Sequence, residues 1–144
     1  MRVMAFDYGL RHIGVAVGSL QFQTAEEQPA LSTRFGKLPE QAVRQLLAKW
    51  QPDLLVVGLP LNLDGSEQDM TGKARSFGRK LQTLSGLEVV FVDERLSSRD
   101  AKAAIFAEGG FQALARDKGH VDSVSACILL EQYFAEQMNH GQTV

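Results

Sequence analysis

Three acidic positions have the type and placement to do chemistry: Asp7, the pair Asp93-Glu94, and Asp122. Asp7 closes the apolar run 2–6, where side-chain alternation puts Val3, Ala5 and Asp7 on one face of a strand. Asp93-Glu94 closes a second such run at 87–92, and Asp122 stands near the start of a long apolar-striped helix. Each has an ordinary structural explanation. Asp7-Tyr8-Gly9 suits a reversal between strands, Asp93-Glu94 a polar strand exit, and Asp122 the positive end of a helix. Converging at one lip of a sheet, they would instead repel one another, and hard divalent cations are the usual remedy. Two such ions about 4 Å apart activate a water and stabilise the leaving oxygen in an in-line displacement at a phosphodiester. His12, His120 and His140 form no pair at ligand spacing, so Mg2+ or Mn2+ is expected rather than zinc. Alternation puts Val89, Phe91 and Asp93 on one face and Val90, Val92 and Glu94 on the other, and parity alone does not choose the inward acid.

Basic residues flank these acids in sequence. Arg11, Arg95, Arg99, Lys102, Arg116 and Lys118 are candidates for holding phosphate, which guanidinium groups clamp well. Lys73, Arg75, Arg79 and Lys80 decorate a predicted helix and read as its solvated face, with a phosphate-backbone track as the second reading. The glycine-bounded loop Gly58 to Gly65 follows a buried strand, as phosphate-cradling loops do. It has neither GxGxxG nor a GK[ST] ending, so a dinucleotide fold and a P-loop are not supported.

The elements that must position these residues follow from periodicity. Strands are expected at 2–6, at His12 to Ser19, and at 24–35, the last interrupted by Pro29; short connections make them an antiparallel meander. In the second of these, the small residues Gly14, Ala16 and Gly18 face one way, which requires a close-packed neighbour. A helix runs from Pro39 to Trp50, with Gln51-Pro52 as its stop, and Leu54-Leu55-Val56-Val57 reads as a strand buried on both faces. Ser66 with Asp69 is expected to cap a helix whose stripe is Met70, Ala74, Phe77, Leu81 and Leu84, ended by Gly86. After the strand at 87–92, a helix is expected from Ser97 to Gly109-Gly110, then a polar loop at 111–119. The final helix is expected from His120 to about Met138. In it Asp122, Ser125, Ala126, Leu129 and Tyr133 share a stripe beside the apolar Val124, Cys127, Ile128 and Phe134. The small residues at 125 and 126 would let that helix approach the sheet and deliver Asp122 to its edge. The order β-β-β-α-β-α-β-α-α predicts an α/β mixed sheet.

The totals agree with one domain, residues 1–138, followed by a frayed tail at 139–144. Hydrophobic content of 44% and charged content of 22% are those of a globular protein. No apolar run approaches the roughly 20 residues of a spanning helix, and the N-terminus does not read as a secretory signal. Residence in the cytoplasm, with no membrane partner, is the expectation. One cysteine, Cys127, excludes an internal disulfide. A net charge of −2 argues only weakly against nucleic acid, because bound cations would cancel clustered acids locally.

Four segments in order carry a family resemblance: Asp7, Gly9, Arg11 and Gly14; Gly58-Leu59-Pro60-Leu61-Asn62 with Asp64-Gly65; Asp93-Glu94-Arg95-Leu96-Ser97-Ser98; and Lys118, Asp122 and Ala126. Together they resemble the YqgF/RuvX family of RNase H-like proteins, and Ser125 is the one departure, at a position where that family often has alanine. The resemblance implies an RNase H-like mixed five-stranded sheet flanked by helices and a kinship with RuvC resolvases. It implies a nuclease acting in Holliday junction resolution or in 5′-end maturation of pre-16S rRNA during ribosome biogenesis. By matching positions it makes Asp7, Glu94 and Asp122 the metal-binding acids, which favours Glu94 over Asp93. Arg11, Arg95, Lys118 and Asn62 then become substrate contacts. The partner would be structured RNA or branched DNA, bound by a monomer or a homodimer.

Two other classes compete. A phosphotransferase of the actin and sugar-kinase type also places Asp-x-Gly between strands, but it closes two lobes over ATP and this chain has residues for one. A non-enzymatic RNase H-fold module in transcription or ribosome assembly would have no need of the acids.

Overall fold

The computed structural model describes residues 1–93 and 118–142, with side chains described for 1–93 and 123–137. Within them a five-stranded sheet forms from β1 (Arg2–Asp7), β2 (His12–Ser19), β3 (Thr24–Ser32), β4 (Leu54–Leu59) and β5 (Val89–Asp93). Its order is β3-β2-β1-β4-β5. β1 pairs antiparallel with β2 and parallel with β4, and β4 pairs parallel with β5. This is the expected mixed sheet, with β1 at its centre. The helices are α1 (Glu40–Trp50), α2 (Asp69–Ser85) and α3 (Lys118–Gln142).

The two faces of β1 explain the layering. Met4 and Phe6 enter one core with Val43 of α1 and Ala74, Phe77 and Leu81 of α2. Val3 and Ala5 enter the other, with Ala126, Leu129, Leu130, Tyr133 and Phe134 of α3. Central strands covered on both sides must be apolar throughout, and Leu54–Leu59 is buried at every position. The small face of β2 meets the neighbour it requires: Ala16 and Ala126 are both fully buried in the α3 core.

Boundaries differ from expectation in several places. β3 ends at Ser32 rather than at 35, because the chain turns at Phe35-Gly36, both at positive φ. Pro29 is tolerated because β3 is an edge strand with an irregular register between Ile13 and Val15 of its partner. β4 continues to Leu59, and β5 begins at Val89. Ser66 does not cap α2. Gln68 does, in a reciprocal box with Thr71, while Ser66 is held in the preceding loop by Asp64. Pro39 precedes α1 as its N-cap instead of opening it, whereas Gln51 and Gly86 close α1 and α2 in the left-handed conformation. α3 begins at Lys118, two residues before the expected start, and runs past Met138. Its buried stripe includes Leu130 and Phe134, while Val124, Cys127 and Ile128 are only half-buried. The helix expected over 97–110 lies outside the described residues, as do Glu94, Arg95, Arg99, Lys102 and Arg116.

Candidate active site

Because β1, β4 and β5 run parallel, their C-terminal ends lie along one edge of the sheet, where the register brings Phe6 beside Val57 and Leu59 beside Asp93. Asp7 is the last residue of β1 and is 9% exposed. It follows Val3 and Ala5 in alternation, so it belongs to the face that α3 covers. The turn after it is sterically specified, since a Cβ on Gly9 would lie 2.5 Å from the His12 carbonyl oxygen. Arg11 is exposed in this turn.

Tyr8 faces the other way, packing on Phe77 with ring centroids 5.0 Å apart. Its hydroxyl donates to the Gly36 carbonyl at 2.9 Å, and burial raises its pKa above the ordinary value of 10.0. Gly36 donates in turn to the Leu10 carbonyl at 3.0 Å, so the turn carrying Arg11 is tied from both sides.

The first described side chain of α3 locates the start of that helix. Ser123 is buried, donates to the Gln28 carbonyl at 2.6 Å and accepts from the Val15 N–H at 3.4 Å. Val15 is the register partner of Phe6, and Gly14 that of Asp7. The backbone at Asp122, one residue before Ser123, therefore lies at the Asp7 end of the sheet, on the Asp7 face. Sequence reasoning did not single out Ser123. A signal existed: Pro29 forces an irregularity in β3, and an irregular ladder leaves backbone groups that a small hydroxyl can satisfy.

The other expected residues divide. Val90 and Val92 pack toward the α3 core, and Val89 and Phe91 toward the α1–α2 core. Asp93 thus belongs by alternation to the face opposite Asp7. Glu94 and Arg95 lie outside the described residues, and Lys118 is placed as the first residue of α3. Asn62 sits in the loop after β4, on the same edge as Asp7. Its amide donates to the Ser66 hydroxyl at 3.0 Å, while Asp64 accepts from both the Ser66 N–H and its hydroxyl, so the loop is internally braced.

The acids expected from the sequence, Asp7, Glu94 and Asp122, would make an all-oxygen donor set, and of these the position of Asp7 fits a hard cation: a nine-tenths-buried carboxylate at a strand end is a fixed oxygen donor. Among the described residues no group of three ligating side chains occurs, since the set would need Glu94 and the Asp122 side chain.

The sheet order, the covering helix and the acid at the end of the central strand define an α/β domain of the RNase H-like, RuvC type. Thermus thermophilus RuvC in complex with a Holliday junction substrate superposes with a TM-score of 0.57 at 17% identity, over 96% of both chains. The fowlpox virus Holliday junction resolvase does so at 0.57 and 15% identity, over 95% of this chain and 99% of that one. The family model RuvX, described as Holliday junction resolvase, matches residues 1–136, and the chain belongs to that family. Relatives named "Putative pre-16S rRNA nuclease" include those of Aeromonas salmonicida, 49% identical over 94% of this chain and 95% of theirs, and of Klebsiella pneumoniae, 46% identical over 92% and 95%. The nuclease class expected from the sequence agrees with the family and with these relatives.

Proposed function

We propose that this protein is a metal-dependent endonuclease that hydrolyses phosphodiester bonds in structured nucleic acid, with the 5′ end of pre-16S rRNA as its leading substrate. The observation that carries the reading is the buried Asp7 at the end of the central strand, on the face where Ser123 anchors the start of α3. The relatives' names favour ribosomal RNA. Holliday junction cleavage is the second reading, favoured by the family description and the RuvC fold.

In this reading Asp7, Glu94 and Asp122 would hold two Mg2+ or Mn2+ ions, which would serve to activate a water and to neutralise charge on the leaving oxygen. Asp93, on the opposite face, is left out of the set. The chain's own part is to fix geometry. The Gly9 turn holds the Asp7 oxygens at the lip, and the buried α3 stripe holds Asp122 on the same face. Arg11, exposed in the Asp7 turn, takes a phosphate beside the scissile bond, and Arg95 and Lys118 contact neighbouring phosphates. Asn62 borders the substrate from the braced loop after β4. The setting is cytoplasmic; among the described residues no helix is long and apolar enough to cross a membrane. A monomer suffices for a single cut in RNA, whereas paired cuts at a junction need a homodimer.

The test is a side-by-side cleavage assay with Mg2+ or Mn2+ on a ribosomal RNA precursor and a four-way DNA junction, using the wild type and Asp7→Asn. Cleavage of the precursor that Asp7→Asn abolishes, with an unchanged circular dichroism spectrum, is expected. Wild-type cleavage by the variant would overturn the mechanism, and cutting of the junction alone would transfer the assignment to the second reading.

A further inference from the structure

The charge of the molecule is distributed unevenly between its two sides. Glu27 and Glu26 of β3 and Glu131 of α3 each lie close enough to Cys127 to raise the pKa of its thiol. The α1–α2 side is basic. Lys37, Arg44, Arg79 and Lys80 line a groove of about 610 Å³ with Glu40 as its one acid. Lys37, Leu38 and Lys80 also line an adjoining recess of about 210 Å³, which adds Lys73, Tyr8 and Phe35. All five cations are exposed, and among the described residues none is in an ion pair; Arg75, by contrast, is bound to Glu67 at 2.7 Å.

Phe35 stands at the mouth of this recess and is 89% exposed. Its φ of 53° is a left-handed conformation that a bulky side chain rarely adopts. The loop around it holds that conformation. Thr33 donates to the Arg11 carbonyl at 2.9 Å, Gly36 donates to the Leu10 carbonyl at 3.0 Å, and Gly36 accepts from the Tyr8 hydroxyl at 2.9 Å. A Cβ on Gly36 would fall 1.9 Å from that hydroxyl, so the hook tolerates no side chain there. A large aromatic is thus presented to solvent by a braced loop bonded directly to the turn that follows Asp7. Burial does not account for such a placement, and strained local conformations persist where the surroundings impose them.

We propose that the α1–α2 groove with Phe35 is a docking track for single-stranded nucleic acid, holding the unpaired flank of a structured substrate as it approaches the Asp7 edge. A row of exposed cations neutralises the phosphate backbone, and an exposed aromatic stacks an unpaired base, a combination that recognises a single strand with little regard to sequence. The track lies on the sheet face opposite α3 and ends at Tyr8, the residue after Asp7, so a strand leaving it arrives at the candidate active-site lip. The inference rests on the nuclease reading for its purpose and not for its binding chemistry.

The experiment measures fluorescence anisotropy of labelled single-stranded RNA and DNA oligonucleotides in EDTA, with the wild type, Arg79→Glu/Lys80→Glu and Phe35→Ala. Charge reversal is expected to weaken binding at least tenfold and to flatten its salt dependence, by about 0.7 in log–log slope for each phosphate that is no longer neutralised. Phe35→Ala is expected to weaken binding of both strands roughly tenfold without changing that slope, as removal of a stacking partner should. Should the charge-reversal protein fail to fold, Lys37→Gln/Lys80→Gln tests the same prediction. Binding unchanged by both kinds of substitution would overturn the proposal, as would equal competition by a fully paired duplex. Cleavage of a substrate lacking an unpaired flank should survive the track substitutions, so failure of the docking track and failure of the nuclease reading give different results.

Discussion

The Ser123 hydroxyl donates to the Gln28 carbonyl at 2.6 Å and accepts from the Val15 N–H at 3.4 Å, joining the first turns of α3 to the β2–β3 ladder where its register is irregular. Val15 and Gln28 are register partners, so one side chain serves both strands at the point where Pro29 spoils their regular pairing. Ser123→Ala would leave the buried Val15 N–H and the half-buried Gln28 carbonyl without this partner, at a cost of about 1–3 kcal/mol. Under the proposed mechanism Ser123 is a positioning residue, because its neighbour Asp122 is one of the three acids proposed to hold metal. The variant is expected to lose stability in a denaturant titration. It should also require more Mg2+ or Mn2+ for half-maximal cleavage, which a purely structural loss would not demand.

Gly9 permits the turn that carries Asp7 into Arg11. Gly9→Ala places a Cβ 2.5 Å from the His12 carbonyl oxygen, and backbone there cannot yield cheaply. We expect destabilisation of about 1–3 kcal/mol and loss of most cleavage activity, read from thermal unfolding together with an assay below the melting temperature.

Leu129 is fully buried against Val3 and Ala5 in the α3 core. Leu129→Ala should cost about 2–5 kcal/mol through lost burial and a residual cavity. Since α3 must lie on the Asp7 face for Asp122 to reach the edge, cleavage should fall faster on warming than in the wild type. Chemical denaturation and an activity–temperature profile measure the two effects.

Cys127 tests the acidic side of the molecule. Burial, with the charges of Glu27, Glu131 and Glu26 adding to it, pushes its thiol up from an ordinary 9.0 to about 12. Alkylation by iodoacetamide near pH 8 should therefore be much slower than that of a free thiol. The folded state holds the proton more tightly than the unfolded one, so the contribution of this group is complete below about pH 9 and is lost as pH rises toward about 12. Cys127→Ala should flatten that alkaline decline in urea titrations, and an unaltered slope would remove Cys127 as its source.

Local pattern determined the layout of this protein. Strand alternation placed Val3, Ala5 and Asp7 on one face, helical spacing placed Ala126, Leu129 and Tyr133 on one stripe, and Gln51 and Gly86 marked helix ends. These properties depend on neighbours within a few residues, which a sequence displays. The burial of Leu54–Val57 on both faces was legible too, since an uninterrupted apolar run must be covered on both sides, whereas the central place of β1 came only with the sheet order. Tertiary structure alone decided that the face shared by Phe91 and Asp93 is the one opposite Asp7, because the parity of β5 acquires meaning only once Val90 and Val92 are seen to pack toward α3. It alone brought Ser123 to Gln28, a hydrogen bond across 95 residues of chain. It also joined Lys37 to Lys80 in one groove and turned Phe35 outward beside the Tyr8–Gly36 bond. Such juxtapositions are set by the packing of whole elements, and no periodicity within a single element records them.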